Sequence, residues 1–459
     1  MQPSQVKTAD DARRIVRERN LSHVKVGVFD ADGILRGKYL HKDKFFSALD
    51  GGMGFCDVVL GWDMNDQLYD NVTYTGWHTA YPDAPVRLLP DTCRELPFEN
   101  TLFFLGEFSD KAEPICPRGT LRRVLAKAEK MGFDVWSAVE YEFFVFDETP
   151  HSIRAKRYKD LKPLSPGFFG YSVLRNSVHA EFYQDMMSTC EAMDMSIEGL
   201  HTETGAGVLE AAIKVDSGIR SADKAALFKT FVKVIAQRRN LLATFMAKWS
   251  KDWPGCGGHI HMSLQHKGAG KKGPTSAFYD EKAPYRMSET MRQFVAGQQA
   301  LMPELLAMVA PTVNSYRRLI PGFWAPTSAT WGVENRTTAL RVIPGSAKSQ
   351  RVEYRVAAAD GNPYLACAAA LASGLWGIEN KLKLGEPIKG NSYEMEHAAK
   401  HDLPRTLMEA SERLKGSKAA RSLFGDAFVD HYAASRNWEE REFRKAITDW
   451  ELDRYFEII

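Results

Sequence analysis

The sequence predicts an α+β protein in which a small strand-rich domain precedes a larger domain of strands and helices. Residues 51–115 hold short apolar segments separated by Gly, Pro and Asp, a pattern typical of strands joined by turns. Residues 114–119 look like a boundary, and a clear helical segment follows at 120–130. We therefore expect an N-terminal domain at 1–115 and a second domain at 116–459.

The composition of the 459-residue chain excludes several classes of protein. It is 44% hydrophobic and 26% charged, as in ordinary globular proteins, and a net charge of +2 gives no electrostatic footprint for nucleic acid. No apolar run approaches the roughly 18 residues that span a bilayer, and the polar N-terminus lacks the apolar core of a secretory signal. The six cysteines have no CxxC spacing, which indicates free thiols. We expect a cytoplasmic protein that binds neither nucleic acid nor membranes.

The predicted elements before the second domain are a helix and a hairpin. Residues 9–20 have the pattern of a short amphipathic helix. Residues 24–29 alternate as a strand does, a turn signal follows at Asp32 and Gly33, and residues 34–40 resume extended structure. Later segments predict helices at 178–193, 221–248, 286–310 and through 375–459, with irregular chain at 151–175.

Carboxylates mark two places in the second domain. Residues 135–146, VWSAVEYEFFVF, predict a strand, and Glu140 and Glu142 lie at i and i+2 on one face of it. Carboxylates in apolar surroundings are costly unless they are paired or bind a cation, although an exposed sheet face explains this pair equally well. Glu203 and Glu210 flank a Gly-rich turn, so they can converge across a loop.

Histidines and arginines follow in two further segments. His259 and His261 share a face of a predicted strand after a glycine loop, an arrangement that favours ligands and packed core residues equally. Residues 312–355 set six arginines and Lys348 among aromatic residues, and they end on Arg351-Val-Glu353-Tyr-Arg355. If this end is a strand, two arginines flank one glutamate on a single surface. The segment is either a structural ion-pair network or a wall that binds phosphate and carboxylate groups.

Together these residues indicate phosphoryl transfer assisted by metal ions. Five carboxylates and one or two imidazoles suit Mg²⁺ or Mn²⁺ better than Zn²⁺. Arginines beside metal-binding carboxylates suit a reaction in which charge develops on a moving phosphoryl group. The sequence contains neither a GxxxxGK[ST] P-loop nor the protein-kinase signature set.

Over nearly its whole length the chain resembles the glutamine synthetase family. The matching segments, in the family's order, are VEYEFFVF, ETGAGVLE, ATFMAKW, GGHIHMSL, NSYRRLIPG, WGVENRTTALR and RVEYRVAAADGNPYL. The resemblance implies a small N-terminal β-grasp domain and a large catalytic domain with a curved antiparallel sheet and helices. It also implies a homo-oligomer, a dodecamer of two stacked rings, whose active sites lie between neighbouring subunits.

The resemblance also implies roles for individual residues. The metal ligands would be Glu142, Glu203 and Glu210 at one site and Glu140, His259 and Glu353 at another. ATP would be bound by Glu198, His261, Ser263, Arg341, Lys348 and Arg351. Glutamate and the acceptor would be held by Gly255, Arg318, Arg336, Arg355 and Trp324, and the residues expected to act in catalysis are Arg336, Glu353 and Trp324.

Departures from the family's motifs concern the acceptor. Where the family's PGxEAP segment has a glutamate that helps bind and deprotonate ammonium, this chain has PGFWAP with Trp324, and the match of Asp57 to a second ammonium-binding aspartate is weak. Losing anionic groups weakens an ammonium site, whereas an aromatic side chain can pack on an alkyl or aryl amine or hold an ammonium head by cation–π attraction. The segments are similar to those of γ-glutamylpolyamine synthetases such as glutamate–putrescine ligase.

We therefore expect an ATP-dependent ligase that joins the γ-carboxylate of glutamate to an organic amine through γ-glutamyl phosphate. The alternatives are a glutamine synthetase that uses ammonia, an acid–amine ligase that does not use glutamate, since Pro254 replaces a common Asn, and a non-catalytic structural relative. The identity of the amine is open.

Overall fold

The structure, a computed structural model, describes residues 1–268 and 275–459 and contains two β-sheets. The first is a five-stranded sheet with strand order β2-β1-β5-β4-β3. Its strands are β1 His23–Phe29, β2 Leu35–His41, β3 Met53–Cys56, β4 Asp83–Leu96 and β5 Thr101–Phe108. Helices α1 Ala9–Glu18 and α2 Lys42–Gly51 pack on it around a core that includes Phe45 and Phe104. The predicted first helix and hairpin are confirmed.

The second sheet is a curved, mainly antiparallel sheet with the main order β13-β14-β15-β11-β6-β8-β7. Its strands are β6 Phe133–Phe146, β7 Ile197–Thr202, β8 Val208–Ile213, β9 Asp216–Ser217, β10 Leu242–Thr244, β11 Gly258–His266, β12 Thr275–Ser276, β13 Trp331–Val333, β14 Leu340–Ile343 and β15 Arg351–Tyr354. The long strand β6 lies near the centre because its inward side chains are apolar along most of its length. This α+β arrangement is the one that the sequence predicted.

Helices cover the second sheet and fill the rest of the chain. They are α3 Pro117–Lys130, α4 Pro150–Ala155, α5 Val173–Val178, α6 Ala180–Ala192, α7 Arg220–Arg238, α8 Glu289–Val309, α9 Ser315–Arg318, α10 Pro363–Glu379, α11 Leu407–Gly416, α12 Lys418–Phe424, α13 Asp426–Phe443 and α14 Asp449–Tyr455. Helices α8 and α10 touch through backbone: a Cβ on Gly297 would lie 2.2 Å from the carbonyl oxygen of Ser373. Only glycine permits this approach.

Three predicted elements differ from the structure. Helix α7 ends at Arg238 and not near residue 248, because Asn240 adopts a left-handed conformation (φ 57°) and the chain then forms β10 beside β6. The segment 151–175 was predicted to be irregular but includes most of α4. Much of 380–406 is extended chain and short turns, although it was predicted to be helical. Within the described residues, no helix has the length and apolarity needed to cross a bilayer.

Buried polar contacts join the two sheets. Arg118 at the start of α3 donates to Glu107 on β5 and to Asp223 on α7. At the other end of the chain, Arg436 on α13 forms a 2.7 Å ion pair with Asp32 in the β1–β2 turn. Because these charges are buried and paired, removing one partner would leave an uncompensated charge.

His431 on α13 predicts a measurable pH dependence of stability. It is buried, and burial lowers the pKa of its imidazole to about 4, against a weaker opposite effect of the Leu60 carbonyl. The unfolded chain takes up the proton near pH 6.5, so the folded state loses stability as the pH falls from 6.5 towards 4. We expect His431→Phe to make this loss smaller by about 2 kcal/mol between pH 7 and pH 4.5, as measured by urea unfolding at pH 7, 5.5 and 4.5. Parallel pH profiles for the two proteins would contradict a buried neutral His431.

Candidate active site

Strands β6, β11 and β15 bring Glu140, His259 and Glu353 together. In the register of the sheet, His259 pairs with Glu140 and His261 pairs with Glu353. The Nδ1 atom of His259 lies 3.4 Å from Glu353 Oε1 and 3.9 Å from Glu140 Oε1. This Nδ1 is buried and has no hydrogen-bond partner among the described residues. Two carboxylates and an unpartnered imidazole nitrogen are a donor set that suits a divalent cation.

A second group lies beside the first, on β7, on the residue that follows it and on β8. His201, Glu203 and Glu210 place one ligand atom each within 4.8 Å of one another. His201 Nε2 is 3.1 Å from Glu210 Oε1, and its Nδ1 is 3.8 Å from Glu203 Oε1. Glu142 pairs with Glu210 across β6 and β8, and its side chain accepts a hydrogen bond from the backbone N–H of Gly257. Sequence reasoning missed His201, although its i, i+2 spacing to Glu203 was the available signal.

The charges in these two groups shift the pKa values of their carboxyls in opposite directions. Burial raises the pKa of Glu210, and the nearby Glu140 and Glu142 add to the rise while His201 opposes it, so that the pKa is about 8. Burial also disfavours ionised Glu353, but Arg355 and the two histidines outweigh it and lower its pKa to about 2. The neighbouring His259 and His261 likewise outweigh burial and hold the pKa of Glu140 below its usual range. The site therefore collects carboxylates that repel one another, as a cation-binding site does.

A cavity of about 340 Å³ opens next to Glu140 and contains most of the predicted ATP-binding residues. Its lining includes Glu198, His261, Ser263, Lys348 and Arg351. His261 is fixed between Glu140, 3.2 Å from its Nε2, and Arg351, whose Nε lies 3.2 Å from its Nδ1. The remaining residue predicted to bind ATP, Arg341, does not line this cavity. It donates hydrogen bonds to Glu353 at 3.0 Å and to Glu334 at 2.9 Å. Cations and a hydroxyl beside carboxylates fit a nucleotide phosphate with its metal ion.

Arg318 and Arg355 lie next to each other, and Arg355 contacts Glu353. Arg355 pairs with Glu353 and keeps a buried Nε without a partner among the described residues. Arg318 is 2% exposed, and its guanidinium donates to the carbonyls of Val356 and Arg355, both at 3.1 Å. Burial lowers the pKa of Arg318, with Glu142 opposing. A Cβ on Gly255 would lie 2.8 Å from Cγ of Arg318, so only glycine fits behind this side chain.

Trp324 and Arg336 lie on exposed loops around this centre. Trp324 is 55% exposed, has a left-handed backbone (φ 60°), and its carbonyl oxygen is 3.5 Å from Nη2 of Arg355. Arg336 is exposed on the turn between β13 and β14. It lies on the same side as Tyr171, whose pKa is raised by burial and by Glu203 and Glu210, with the charge of Arg336 opposing.

Comparison with known proteins places this arrangement in a family. The model of the glutamine synthetase catalytic domain matches residues 114–455. A type-1 glutamine synthetase 2 of Dictyostelium discoideum is 46% identical over 442 residues, covering 95% of this chain and 84% of the relative. A glutamate–isopropylamine ligase of a Pseudomonas species is 36% identical and covers 97% of both chains. A gamma-glutamylethanolamide synthetase of Streptomyces coelicolor is 33% identical, covering 98% of this chain and 95% of that one.

Solved structures agree with this assignment. The structure named "GmaS/ADP complex-Conformation 1" superposes with a TM-score of 0.83 at 25% identity, covering 97% of this chain and 99% of that one. A structure described as a novel glutamine synthase homolog gives a TM-score of 0.77, covering 95% and 97%. The curved sheet, its carboxylate and histidine clusters and these matches together show that the chain belongs to the glutamine synthetase family and is an ATP-dependent ligase.

Proposed function

We propose that the protein joins the γ-carboxylate of glutamate to an organic amine, with ATP as the phosphoryl donor. The observation that carries the proposal is Trp324, an exposed aromatic residue beside Arg355. It stands at the position where the family has the glutamate that helps to bind and deprotonate ammonium. Asp57 supports it, because this carboxyl is buried, accepts a 2.7 Å hydrogen bond from Thr75 and has a pKa raised by burial. Neither residue offers the exposed anion that an ammonium ion requires.

The two acidic clusters are the proposed sites for Mg²⁺ or Mn²⁺. Glu140, His259 and Glu353 would hold one cation. Glu142, Glu203 and Glu210 would hold the other, and His201 adds a nitrogen ligand to this group. When bound, the cations supply positive charge to the phosphate groups of ATP during the transfer.

The remaining residues bind and orient the substrates. The cavity beside Glu140 would hold ATP, with Lys348 and Arg351 facing its phosphates. Arg341 and Arg336 would add positive charge where the phosphoryl group moves. Arg318 and Arg355 would hold the carboxylates of glutamate, since Arg355 retains a buried N–H that a carboxylate oxygen can accept from.

The chemistry has two steps. An oxygen of the γ-carboxylate bonds to the γ-phosphorus of ATP as the bond to the bridging oxygen breaks, and ADP leaves. The nitrogen of the neutral amine then attacks the acyl carbon of γ-glutamyl phosphate, and the amide forms as phosphate departs with the proton that the nitrogen loses. Trp324 would cover the acceptor side of this centre and exclude water, which would otherwise hydrolyse the acyl phosphate.

A second candidate is a glutamine synthetase that uses ammonia. The 46% identical Dictyostelium protein bears that name, and so do bacterial and archaeal relatives about 30% identical. A non-catalytic relative would be expected to lose metal ligands, whereas all six predicted ligands are present.

We also propose that the chain divides into two domains between residues 115 and 116 and that it assembles into stacked rings. Light scattering of the purified protein tests the assembly.

The deciding experiment measures ATP-dependent phosphate release with glutamate and one acceptor at a time. The acceptors are ammonia, isopropylamine, ethanolamine, putrescine and aniline. We expect an organic amine to give the highest kcat/KM, at least about tenfold above ammonia. The highest value with ammonia would support the second candidate. A parallel assay with aspartate in place of glutamate as the substrate tests the identity of the acid. A ligase that acts on the γ-carboxylate of glutamate should lose activity with aspartate, whose side chain is shorter.

A further inference from the structure

The acceptor side of the site is bordered by five aromatic residues on three loops, which we call the aromatic rim: Phe168, Tyr171, Trp253, Phe323 and Trp324. Phe168, Tyr171 and Trp324 are exposed by 52%, 67% and 55%, and the other two are half-buried. Large apolar side chains exposed together in this way indicate a surface that binds an apolar group.

Contacts connect the rim to one metal cluster. The ring of Tyr171 stacks on His201, with centroids 4.3 Å apart and planes 24° apart. The backbone N–H of Tyr171 donates to the carbonyl of Thr202 at 2.7 Å, so its loop is tied to the end of β7. His201 in turn contacts Glu203 and Glu210. Tyr171 therefore places this end of the rim next to the carboxylates that are proposed to bind metal.

At its other end, the rim reaches Arg355, one of the two arginines proposed to bind the substrate glutamate. Phe168 contacts Trp253, with ring centroids 4.7 Å apart. Lys248 joins the next two members, because its Nζ donates to the carbonyl of Trp253 and lies 4.1 Å from the ring centroid of Phe323. Trp324 follows Phe323 directly, and its carbonyl meets Arg355. The rim therefore connects Arg355 with the metal cluster, so an amine that attacks a γ-glutamyl group held between them can approach along it.

The charges at the rim disfavour a second ammonium group on the acceptor. Lys248, and Arg175 in the first turn of α5, lie over aromatic rings near the rim, Arg175 being 4.7 Å from the ring centroid of Phe169. Lys248 already occupies a face of Phe323, and His201 covers a face of Tyr171. Burial lowers the pKa of Lys248, and the exposed carboxylate of Asp252 opposes this shift. A distal ammonium would therefore meet a cation and two aromatic rings whose faces are in part covered.

We infer that the acceptor is a primary monoamine with an apolar alkyl or aryl tail, and not a diamine or polyamine. This inference rests on the proposed function and narrows it. The apolar tail gains contact with Trp253, Phe168 and Trp324, while the single nitrogen is delivered as the nucleophile. A tail that ends in a charge gains less apolar contact and is repelled by Lys248.

The test compares acceptors with the same four-carbon chain, using the whole protein with glutamate and ATP. They are n-butylamine, 4-amino-1-butanol and putrescine, which carry a hydrogen, a hydroxyl or an ammonium group on the far carbon, and ammonia is measured beside them. We expect kcat/KM to fall in that order, with n-butylamine at least tenfold above putrescine. Putrescine as the best of the four acceptors would overturn the inference and leave the γ-glutamyl-amine ligase standing. The highest kcat/KM with ammonia would overturn the proposed function itself.

Two variants test whether the rim causes the preference. Lys248→Met removes the cation and keeps the chain length, so the ratio of n-butylamine to putrescine should fall at least threefold. Lys251→Met, an exposed lysine of the same loop, is the matched control and should leave the ratio unchanged. Trp253→Leu should lower kcat/KM for n-butylamine about tenfold while the KM for glutamate stays within twofold. Equal ratios in Lys248→Met and the wild type, or equal losses for n-butylamine and ammonia in Trp253→Leu, would overturn the role of the rim.

Discussion

Replacing Glu353 with Ala is expected to lower kcat/KM about 10³-fold or more with ammonia and with every amine. Glu353 is the carboxylate shared by the proposed metal site, the proposed phosphate-facing Arg341 and the glutamate-side Arg355. Its loss removes a ligand from a cation whose charge contributes several kcal/mol to phosphoryl transfer. Phosphate release with glutamate and each acceptor measures the effect.

The same substitution also leaves Arg355 buried without its carboxylate, so stability must be measured separately. Removing one partner of a buried ion pair costs about 3–5 kcal/mol, and urea unfolding of Glu353→Ala should show a loss of that order. Glu353→Gln keeps the shape and the hydrogen-bond acceptor, so it should unfold more nearly like the wild type while still lacking activity. Glu334→Gln changes the exposed second partner of Arg341 and is the matched control. Activity of Glu353→Gln within tenfold of wild type would contradict a metal ligand.

Replacing Trp324 with Glu is expected to shift acceptor preference towards ammonia by at least about tenfold. The new carboxylate would stand where the family places its ammonium-binding glutamate, and it would attract a cationic acceptor and help to remove a proton. Because Trp324 is 55% exposed, the exchange should change stability little. The measurement is the ratio of kcat/KM for ammonia to that for isopropylamine in the wild type and the variant.

A control separates the charge from the loss of the ring. Trp324→Gln has nearly the shape of the glutamate variant, and both keep a non-glycine residue at this left-handed backbone position. We expect Trp324→Gln to lose activity with isopropylamine without gaining activity with ammonia. An unchanged acceptor profile in both variants would mean that Trp324 does not line the acceptor site.

Much of the site could be predicted because strands place alternate residues on one face. Glu140 with Glu142 and His259 with His261 were recognised in this way, before any partner strand was known. The same rule applied to His201 and Glu203 would have predicted a nitrogen ligand in the second cluster. The register could not be predicted, because the pairing of His259 with Glu140 joins segments more than a hundred residues apart.

Errors in the predicted helices have local causes. Apolar residues continue beyond Arg238, so periodicity alone extended α7, whereas the left-handed turn at Asn240 ends it and β10 pairs with β6. The burial of Arg318 could not be predicted from the sequence either, since it depends on glycines of a distant loop and on backbone carbonyls of the chain after β15. Its binding role stays a prediction.

The ion pair between Arg436 and Asp32 has a consequence for biosynthesis, because its partners are 404 positions apart. The indole N–H of Trp438 donates to Asp63 at 3.0 Å and joins the same two regions. A ribosome releases Asp32 and Asp63 long before it has made α13. The first sheet therefore leaves the ribosome before either contact can form, and its connection to α13 closes only after translation is nearly complete.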